Sequence, residues 1–255
     1  METPLIKITE KIYAKLETHQ KTGSVKDRMV SYIVKQAYDS RKIMPGFTEF
    51  IEATSGNTGI ALASAAASFS CPCTIIMPEN MSEQRKVMMR AFGAKILEVG
   101  KNDFEGAIDL RNRIIKKSQN QNPISIWCPY QFQNKLNVEC HYKITAPEIH
   151  NQAASLGLNW EIFVHCAGTG GTMMGIKKYI DDNKLPVKCV LTMPYEDASS
   201  HGIQGINDGA DFLLNRSKMD NFVSIRTEEA IDRMKMFARE SGYLVGISSG
   251  ANILA

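Results

Sequence analysis

The chain alternates short apolar runs with longer stretches in which apolar residues recur every three or four positions. Runs of the first kind predict β-strands, and stretches of the second kind predict amphipathic helices. The predicted strands are KIYAKLE at 11–17, EFIEA at 49–53, CTIIMP at 73–78, AKILEVG at 94–100, ISIWCP at 124–129, EIFVHCAG at 161–168, VKCVLTMP at 187–194 and FVSIR at 222–226.

Two helical stretches have a clear apolar face. The first has its face at Met29, Ile33, Val34 and Ala37, and the second, over 82–92, has it at Val87, Met88 and Ala91. Segments 151–160 and 207–221 are expected to be loops or helix connections. Alternation of strands and helices is typical of an α/β protein with parallel sheets and helices on both faces. No linker marks a boundary, so two domains would require the chain to cross between them more than once.

Composition excludes several classes of protein. The 255 residues are 44% apolar and 22% charged, with a net charge of +3. The sequence has no long run of like charges that could bind a nucleic-acid backbone or an anionic membrane. No apolar run reaches the roughly 18 residues of a membrane span, and Met1 begins no signal-peptide pattern. The length suffices for one large domain or two smaller ones.

The cysteines form no CxxC pair, and the histidines have no metal-ligand spacing. The six cysteines are Cys71, Cys73, Cys128, Cys140, Cys166 and Cys189. We expect buried, reduced thiols in a reducing cytosol rather than disulfides, and no structural or catalytic metal.

Ligands of open parallel sheets bind where strands lead into helices, which directs attention to glycine-bearing junctions. The first is EATSGNTGIALASAAA, in which four hydrogen-bonding side chains surround Gly56: Thr54, Ser55, Asn57 and Thr58. Such a loop at a helix N-terminus is suited to a carboxylate or a phosphate. The alternative is a well-capped helix start, since these residue types also favour caps.

The second junction, VHCAGTGGTMMGIKKYI, leads from a strand through Gly168, Thr169, Gly170, Gly171 and Thr172 into a helix. Three glycines let backbone N–H groups approach an anion, and the helix dipole adds a favourable potential. The spacing is neither that of a dinucleotide fold nor that of a Walker A loop. A phosphate monoester fits it better than a pyrophosphate does, and a plain tight turn is the alternative.

The third junction is YLVGISSGAN, in which a short apolar strand is predicted to end at Gly246 or Ile247. Ser248 could cap a helix or face a heteroaromatic ring nitrogen. A further stretch, KTGSVKDRMV, places Lys26 two residues after Ser24 and directly before Asp27 and Arg28. It fits an exposed helix start capped by Ser24, unless Lys26 points inward for a chemical reason.

Together these segments resemble the fold-type II pyridoxal-phosphate (PLP) enzymes, and most closely the cysteine synthase (O-acetylserine sulfhydrylase) family. The resemblance covers almost the whole chain. It rests on the order of TPLIKI, IYAKLE, TGSVKDRM, EATSGNTGIALA, IIMPENMSEQRKVMMRAFGAKI, YQFQN, HYKITAPEI, AGTGGTMMG, HGIQGI and GISSGA.

The resemblance implies two domains, each a mainly parallel twisted sheet flanked by helices, as in the tryptophan synthase β fold. Residues 1–19 and 135–255 would form the larger, phosphate-binding domain. Residues 20–134 would form a smaller mobile domain that carries the lysine and the substrate loop.

The resemblance also implies roles for individual residues. Lys26 matches the lysine that binds the cofactor covalently, Asn57 the partner of the pyridoxal 3′-oxygen, and Ser248 the serine at the pyridine nitrogen. Segment 168–172 matches the phosphate loop. The groups that hold the substrate α-carboxylate match Thr54, Ser55, Thr58 and Gln131, and Gly205 matches a backbone element near the substrate amine.

The implied activity is a PLP-dependent β-replacement that makes L-cysteine from O-acetyl-L-serine and sulfide through an aminoacrylate intermediate. Lys26 would be nucleophile and then general base. Alternatives are cystathionine β-synthase-like or β-cyanoalanine-forming activity, or a weakened paralogue that acts by binding. A nucleotide-binding protein is disfavoured, because neither nucleotide phosphate motif is present.

The family further implies a cytoplasmic homodimer whose carboxylate pocket also accepts the C-terminal tail of serine acetyltransferase. The sequence departs from the family pattern at several positions. The chain ends at SSGANILA, where the family continues, so we expect a C-terminally shortened fold. The loop before HGIQGI is short, the family's Val-Glu-Pro is Thr192-Met193-Pro194, Asn207 replaces a glycine, and His19-Gln20-Lys21 replaces the usual Asn-Pro.

Overall fold

The computed structural model describes residues 2–54, 56–121, 125–197, 201–203 and 212–255. The strands β1 to β9 are Leu5–Lys7, Tyr13–Lys15, Thr48–Ala53, Cys73–Pro78, Lys95–Val99, Ser125–Trp127, Ile162–Cys166, Lys188–Pro194 and Asn221–Ile225. The helices α1 to α9 are Lys26–Asp39, Asn57–Ser68, Glu83–Ala91, Phe104–Gln121, Leu136–Cys140, Ala146–Ser155, Gly171–Asp182, Thr227–Ser241 and Ile247–Leu254. Short 3₁₀ turns occupy Glu17–His19 and Arg216–Lys218, and one π-helical turn, His141–Thr145, joins α5 to α6.

The chain divides into two compact units. The first combines Met1–Ile6 with Ala14–Tyr130, and the second combines Lys7–Tyr13 with Gln131–Ala255. Residues 1–6 and 14–19, which we expected in the larger domain, group with the first unit, and residues 131–134, which we expected in the smaller domain, group with the second. The functional assignment of the two domains stays a prediction.

The first unit is built on a parallel sheet with strand order β5-β4-β3-β6. Its central strand β4 is buried along its whole length, as is typical of parallel strands covered on both faces. Ile51, Ala53 and Ile76 pack with Ala107 of α4. Phe50 stacks edge-on against Trp127 with ring centroids 5.0 Å apart.

The second unit contains the parallel sheet β7-β8-β9 with helices on both faces. Cys189 and Leu191 of β8 join a core with residues of α6 and α7. Cys166, whose register partner is Thr192, joins a separate core with residues of α8 and α9. Because successive strand residues point to opposite faces, the two cores lie on the two sides of the sheet. The α/β class with parallel sheets is confirmed.

Three local predictions were wrong. In α3, Val87, Met88 and Ala91 are exposed, and the helix instead buries Lys86 and Met89. Close tertiary neighbours decided that face: Lys86 binds Glu98 of β5 at 2.7 Å, and Met89 packs on α2.

The other two errors concern segment ends. Residues 243–246 form no strand, and Leu244 is 80% exposed, because no described strand lies beside it to pair with that apolar run. Helix α6 continues to Ser155, into a segment expected to be a loop. Of the predicted loop 207–221, residues 207–211 lie outside the described residues.

All six cysteines are buried thiols, as expected. Burial and the charge of Glu49 raise the pKa of Cys73 to about 12, and burial raises that of Cys189 to about 12. Among the described residues, no helix is both long and apolar enough to cross a membrane. Nor does that part of the chain hold a group of three or more His, Cys, Asp or Glu side chains arranged for a metal ion.

Candidate active site

Lys26 is the first residue of α1 and is half-buried. The preceding loop turns at Gly23, whose φ of +85° favours glycine. The Ser24 hydroxyl accepts a hydrogen bond from the Lys26 N–H at 3.3 Å. The N-cap residue is Val25, so Ser24 does not occupy the cap position that we expected for it, although its hydroxyl binds the first helical N–H. Lys26 lies at a partly buried helix N-terminus.

The two charges after Lys26 have structural partners. The Asp27 carboxylate accepts hydrogen bonds from the Thr22 N–H and hydroxyl, at 2.9 Å each. The buried Arg28 guanidinium binds both Glu17 carboxylate oxygens, at 2.6 and 2.8 Å, and donates to the Thr3 hydroxyl at 3.0 Å. A two-point pair of this kind fixes the geometry of the lysine loop.

The substrate-loop candidates follow β3 directly. Thr54 donates its N–H to the Ile76 carbonyl at 3.0 Å, and its hydroxyl accepts the Gly56 N–H at 3.4 Å. Helix α2 begins at Asn57, which is exposed, while Thr58 is buried. Ser55 lies outside the described residues.

The N-cap residue of α2 is Gly56, which has no side chain of its own to cap the helix. The first-turn N–H groups of a helix form a site of positive potential, which suits a carboxylate.

A buried ion pair lies directly before this loop. Glu52 is fully buried, and one of its oxygens accepts hydrogen bonds from Arg111 Nη1 at 2.7 Å and from the Ala53 N–H at 2.9 Å. The Arg111 guanidinium also lies 4.9 Å from the centroid of the Tyr130 ring. This pair anchors the end of β3, from which Thr54 follows.

The phosphate-loop candidates, Gly168 to Thr172, connect β7 to α7 in the second unit. Gly170 is the N-cap with φ of +88°, and a Cβ there would lie 2.5 Å from the backbone nitrogen of Leu214. A Cβ on Gly171 would lie 2.0 Å from Asn137 Oδ1. Both glycines are therefore required by space, and Gly170 is required by its backbone conformation as well.

Asn137 is a buried residue of α5 that the sequence interpretation missed. Its amide donates to the Gln131 carbonyl at 3.1 Å and to the Thr169 hydroxyl at 3.0 Å. It thus joins the predicted carboxylate-binding Gln131 to the predicted phosphate loop. A hydroxyl that accepts one hydrogen bond still has its proton to donate, so Thr169 remains a donor.

His141, also buried and also missed, lies one helical turn after Asn137. Its Nδ1 is 2.8 Å from the Thr145 hydroxyl, and its Nε2 is 3.1 Å from the Thr172 hydroxyl. A signal was present in the sequence: two polar residues at i and i+4, within otherwise helical segments, share one helix face. Their partners in the predicted phosphate loop, Thr169 and Thr172, lie 32 and 31 residues further along the chain and could not be inferred from spacing.

Ser248 is the second residue of α9 and is half-buried. Gly246 occupies the N-cap position, and no side chain caps the helix. The prediction that Ser248 caps a helix was therefore wrong. Gly205 lies outside the described residues.

The model of one protein family, described as pyridoxal-phosphate dependent enzyme, matches residues 1–255. The chain belongs to this family. Cysteine synthase B of Campylobacter jejuni is 37% identical, over 99% of this chain and 85% of that protein. The O-acetylserine dependent cystathionine beta-synthase of Bacillus subtilis is 33% identical, over 96% of this chain and 79% of that protein.

Solved structures agree with this family assignment. A cysteine synthase from Entamoeba histolytica superposes with a TM-score of 0.87 at 34% identity, over 99% of this chain and 78% of that one. A hydrogen sulfide-producing enzyme from Fusobacterium nucleatum gives a TM-score of 0.86 at 40% identity, over 95% and 74%. The resemblance to cysteine synthases and the fold-type II architecture are confirmed, and the family's cofactor is pyridoxal phosphate.

The described residues fit the phosphate of this cofactor. The cradle combines closely packed glycines, the N-terminus of the twelve-residue helix α7 and the hydroxyls of Thr169 and Thr172. N–H and hydroxyl donors at a helix N-terminus are suited to a phosphate monoester. A site of this kind requires no basic side chain.

Proposed function

We propose that this chain catalyses a β-replacement that makes L-cysteine from O-acetyl-L-serine and sulfide. The observation that carries the proposal is the cradle at 168–172, in which Gly170 and Gly171 have no room for a Cβ and the threonine hydroxyls are held by buried Asn137 and His141. Relatives named cysteine synthase support the choice of reaction.

Lys26 is the proposed attachment point and base. Its amine would hold the cofactor, and the same amine, once released, would take the proton from the substrate α-carbon. Pyridoxal phosphate, when bound, supplies the conjugated ring that accepts electrons from that carbon. The pairs made by Asp27 and Arg28 keep the α1 N-terminus in place.

The remaining assignments follow the same proposal. Asn57 would hold the cofactor 3′-oxygen, and Ser248 would face its ring nitrogen. A serine stabilises a protonated ring nitrogen less than a carboxylate does, which favours elimination at the β-carbon. The substrate α-carboxylate would be bound by Thr54, Ser55, Thr58 and Gln131, with Gly205 near the amine.

A spectrum of the purified protein tests the proposal. We expect a yellow protein whose near-visible absorbance shifts when O-acetylserine is added and recovers when sulfide follows. Lys26→Ala should abolish both changes, whereas the matched control Lys21→Ala should retain them, since Lys21 is exposed and its Nζ binds Ser68 at 3.1 Å. A wild-type protein that stays colourless with pyridoxal phosphate, like Lys26→Ala, would contradict the proposal.

A second candidate is the same half-reaction with another nucleophile. The Bacillus relative named cystathionine beta-synthase and the Fusobacterium hydrogen sulfide-producing enzyme favour it. Addition of homocysteine instead of sulfide, followed by mass spectrometry of the product, separates the two. Cystathionine formed faster than cysteine would select this candidate.

We further propose a cytoplasmic homodimer in which the second unit binds the cofactor phosphate and the first unit is the mobile domain. The carboxylate loop would also accept the C-terminal tail of serine acetyltransferase. A coloured protein whose absorbance does not change with O-acetylserine, but which binds such a tail peptide, would indicate a binding role instead of catalysis. Light scattering measures the assembly directly.

A further inference from the structure

Helix α3 presses two side chains against the first turn of α2. The Arg85 guanidinium lies beside Gly56: a Cβ there would be 3.3 Å from its Nη1 and 3.6 Å from its Cζ. Arg85 is half-buried, and burial lowers the pKa of its guanidinium, which nevertheless stays charged at neutral pH. The substrate loop thus has a cation directly against its backbone.

The second contact fixes the distance between the helices. Met89 is fully buried, and a Cβ on Gly59 would lie 2.7 Å from its Cε and 3.2 Å from its Sδ. The same Cβ would lie 3.1 Å from Cγ2 of Thr54. Gly59 therefore permits a close approach that holds α3, and with it Arg85, at one position relative to the loop.

The other cations of α3 have different surroundings. Lys86 donates to the Glu79 carbonyl at 2.6 Å and pairs with Glu98 at 2.7 Å, and Arg90 pairs with Glu83 at 2.8 Å. Arg85 lies against Gly56, at the positive end of α2. Two positive potentials that meet at one backbone loop favour an anion there.

We propose that Arg85 is a positioning residue for the substrate carboxylate loop: it holds Gly56 from behind and adds a fixed positive charge to the first turn of α2. This inference rests on the proposed function, since it assumes that loop 54–58 binds an α-carboxylate. It assigns Arg85 to substrate binding and not to cofactor binding or chemistry.

The test compares Arg85→Gln with Arg85→Lys and with the matched control Arg90→Gln on the same helix. In Arg85→Gln, we expect KM for O-acetylserine to rise about tenfold with kcat within about twofold, because a charge that assists binding is lost while the chemistry is unchanged. The cofactor absorbance should be unaltered. Arg85→Lys should recover most of the lost affinity, and Arg90→Gln should match wild type.

Amide hydrogen exchange without substrate provides a readout independent of turnover. Amides of the first turn of α2 should exchange several-fold faster in Arg85→Gln than in Arg90→Gln. Equal KM and equal exchange in these two variants would overturn the inference, as would loss of the cofactor colour in Arg85→Gln. A wild-type protein with no response to O-acetylserine would instead defeat the proposed function, and this inference with it.

Discussion

The chain contains two loops of the same kind, 54–58 and 168–172, that differ in what holds them. Each leads from a parallel strand into a helix whose N-cap residue is a glycine. The loop at 168–172 is surrounded by rigid groups: the backbone of Leu214 and the twice-bonded amide of Asn137. The loop at 54–58 is backed by side chains, with Arg85 against Gly56 and Met89 against Gly59.

The difference suits two different ligands. A cofactor phosphate stays bound through many turnovers, and a rigid cradle binds it without reorganisation. A substrate carboxylate enters and leaves in each cycle, and long flexible side chains can adjust by a few tenths of an ångström. We therefore expect substitutions to affect the two loops unequally.

The largest effect is expected for Gly170→Ala. The new Cβ would meet a backbone nitrogen at 2.5 Å in a conformation with φ of +88°, and neither can rotate away. Strain and overpacking together amount to about 3 kcal/mol, or roughly a hundredfold loss of cofactor affinity. Gly56→Ala is the matched control, because its Cβ would meet only the far end of the Arg85 side chain, at 3.3 Å, where a shift of a few tenths of an ångström relieves the contact.

Equilibrium titration with pyridoxal phosphate measures both variants. Gly56→Ala should bind the cofactor within about threefold of wild type, since a clash with a flexible side chain is relieved at little cost. Equal losses in both variants would show that the two loops are held alike.

The next effect concerns Glu52, which supports the first loop. Glu52→Gln leaves the Arg111 charge buried without its carboxylate and should lower the free energy of unfolding by about 3 kcal/mol. Asp182→Asn breaks the exposed pair with Lys178 and should change the free energy of unfolding too little to measure. Urea denaturation compares the two, and similar values would contradict the importance of the buried pair.

The third prediction concerns Asn137, whose amide contacts loop 168–172 at Thr169. Asn137→Ala removes a bridge between Gln131 and Thr169 and should cost about 2 kcal/mol of stability. Because the Gly171 Cβ would clash with this same amide, Gly171→Ala should cost less in the Asn137→Ala background. Strictly additive losses in urea denaturation would show that Asn137 does not set the fit, and Asn183→Ala on the exposed end of α7 serves as control.

The smallest expected effect is a loss of stability at alkaline pH, which should arise from one buried thiol in each unit. The folded-state pKa values of Cys73 and Cys189 are about 12, above the ordinary 9.0. The stability that depends on these protonated thiols is complete below pH 9 and is lost as pH rises from 9 toward 12, because the unfolded chain ionises first. The unfolding temperature should therefore not depend on these thiols at pH 7 to 8. At pH 10 the protein should unfold at a lower temperature. Cys73→Ala should reduce the loss of stability above pH 9. The same pH dependence in wild type and Cys73→Ala would refute the raised pKa of Cys73.

The strands were largely predictable, because their signal is local. CTIIMP matches β4 at both ends, and the apolar face of α1 is buried as expected. The α3 face failed because one glycine in α2 and one glutamate in β5 selected Met89 and Lys86 as the buried residues. Periodicity within nine residues contains no information about either neighbour.

The candidate site shows the same division. The sequence by itself determined the chemistry: a lysine at a helix start, hydroxyl and amide groups at one strand end, and a glycine cradle at another. Only the tertiary structure decided what holds these groups, since Asn137 meets Thr169, His141 meets Thr172, and Arg85 meets Gly56 across about thirty residues of chain. Local order fixes which groups each loop presents, whereas packing between distant helices fixes where those groups are held.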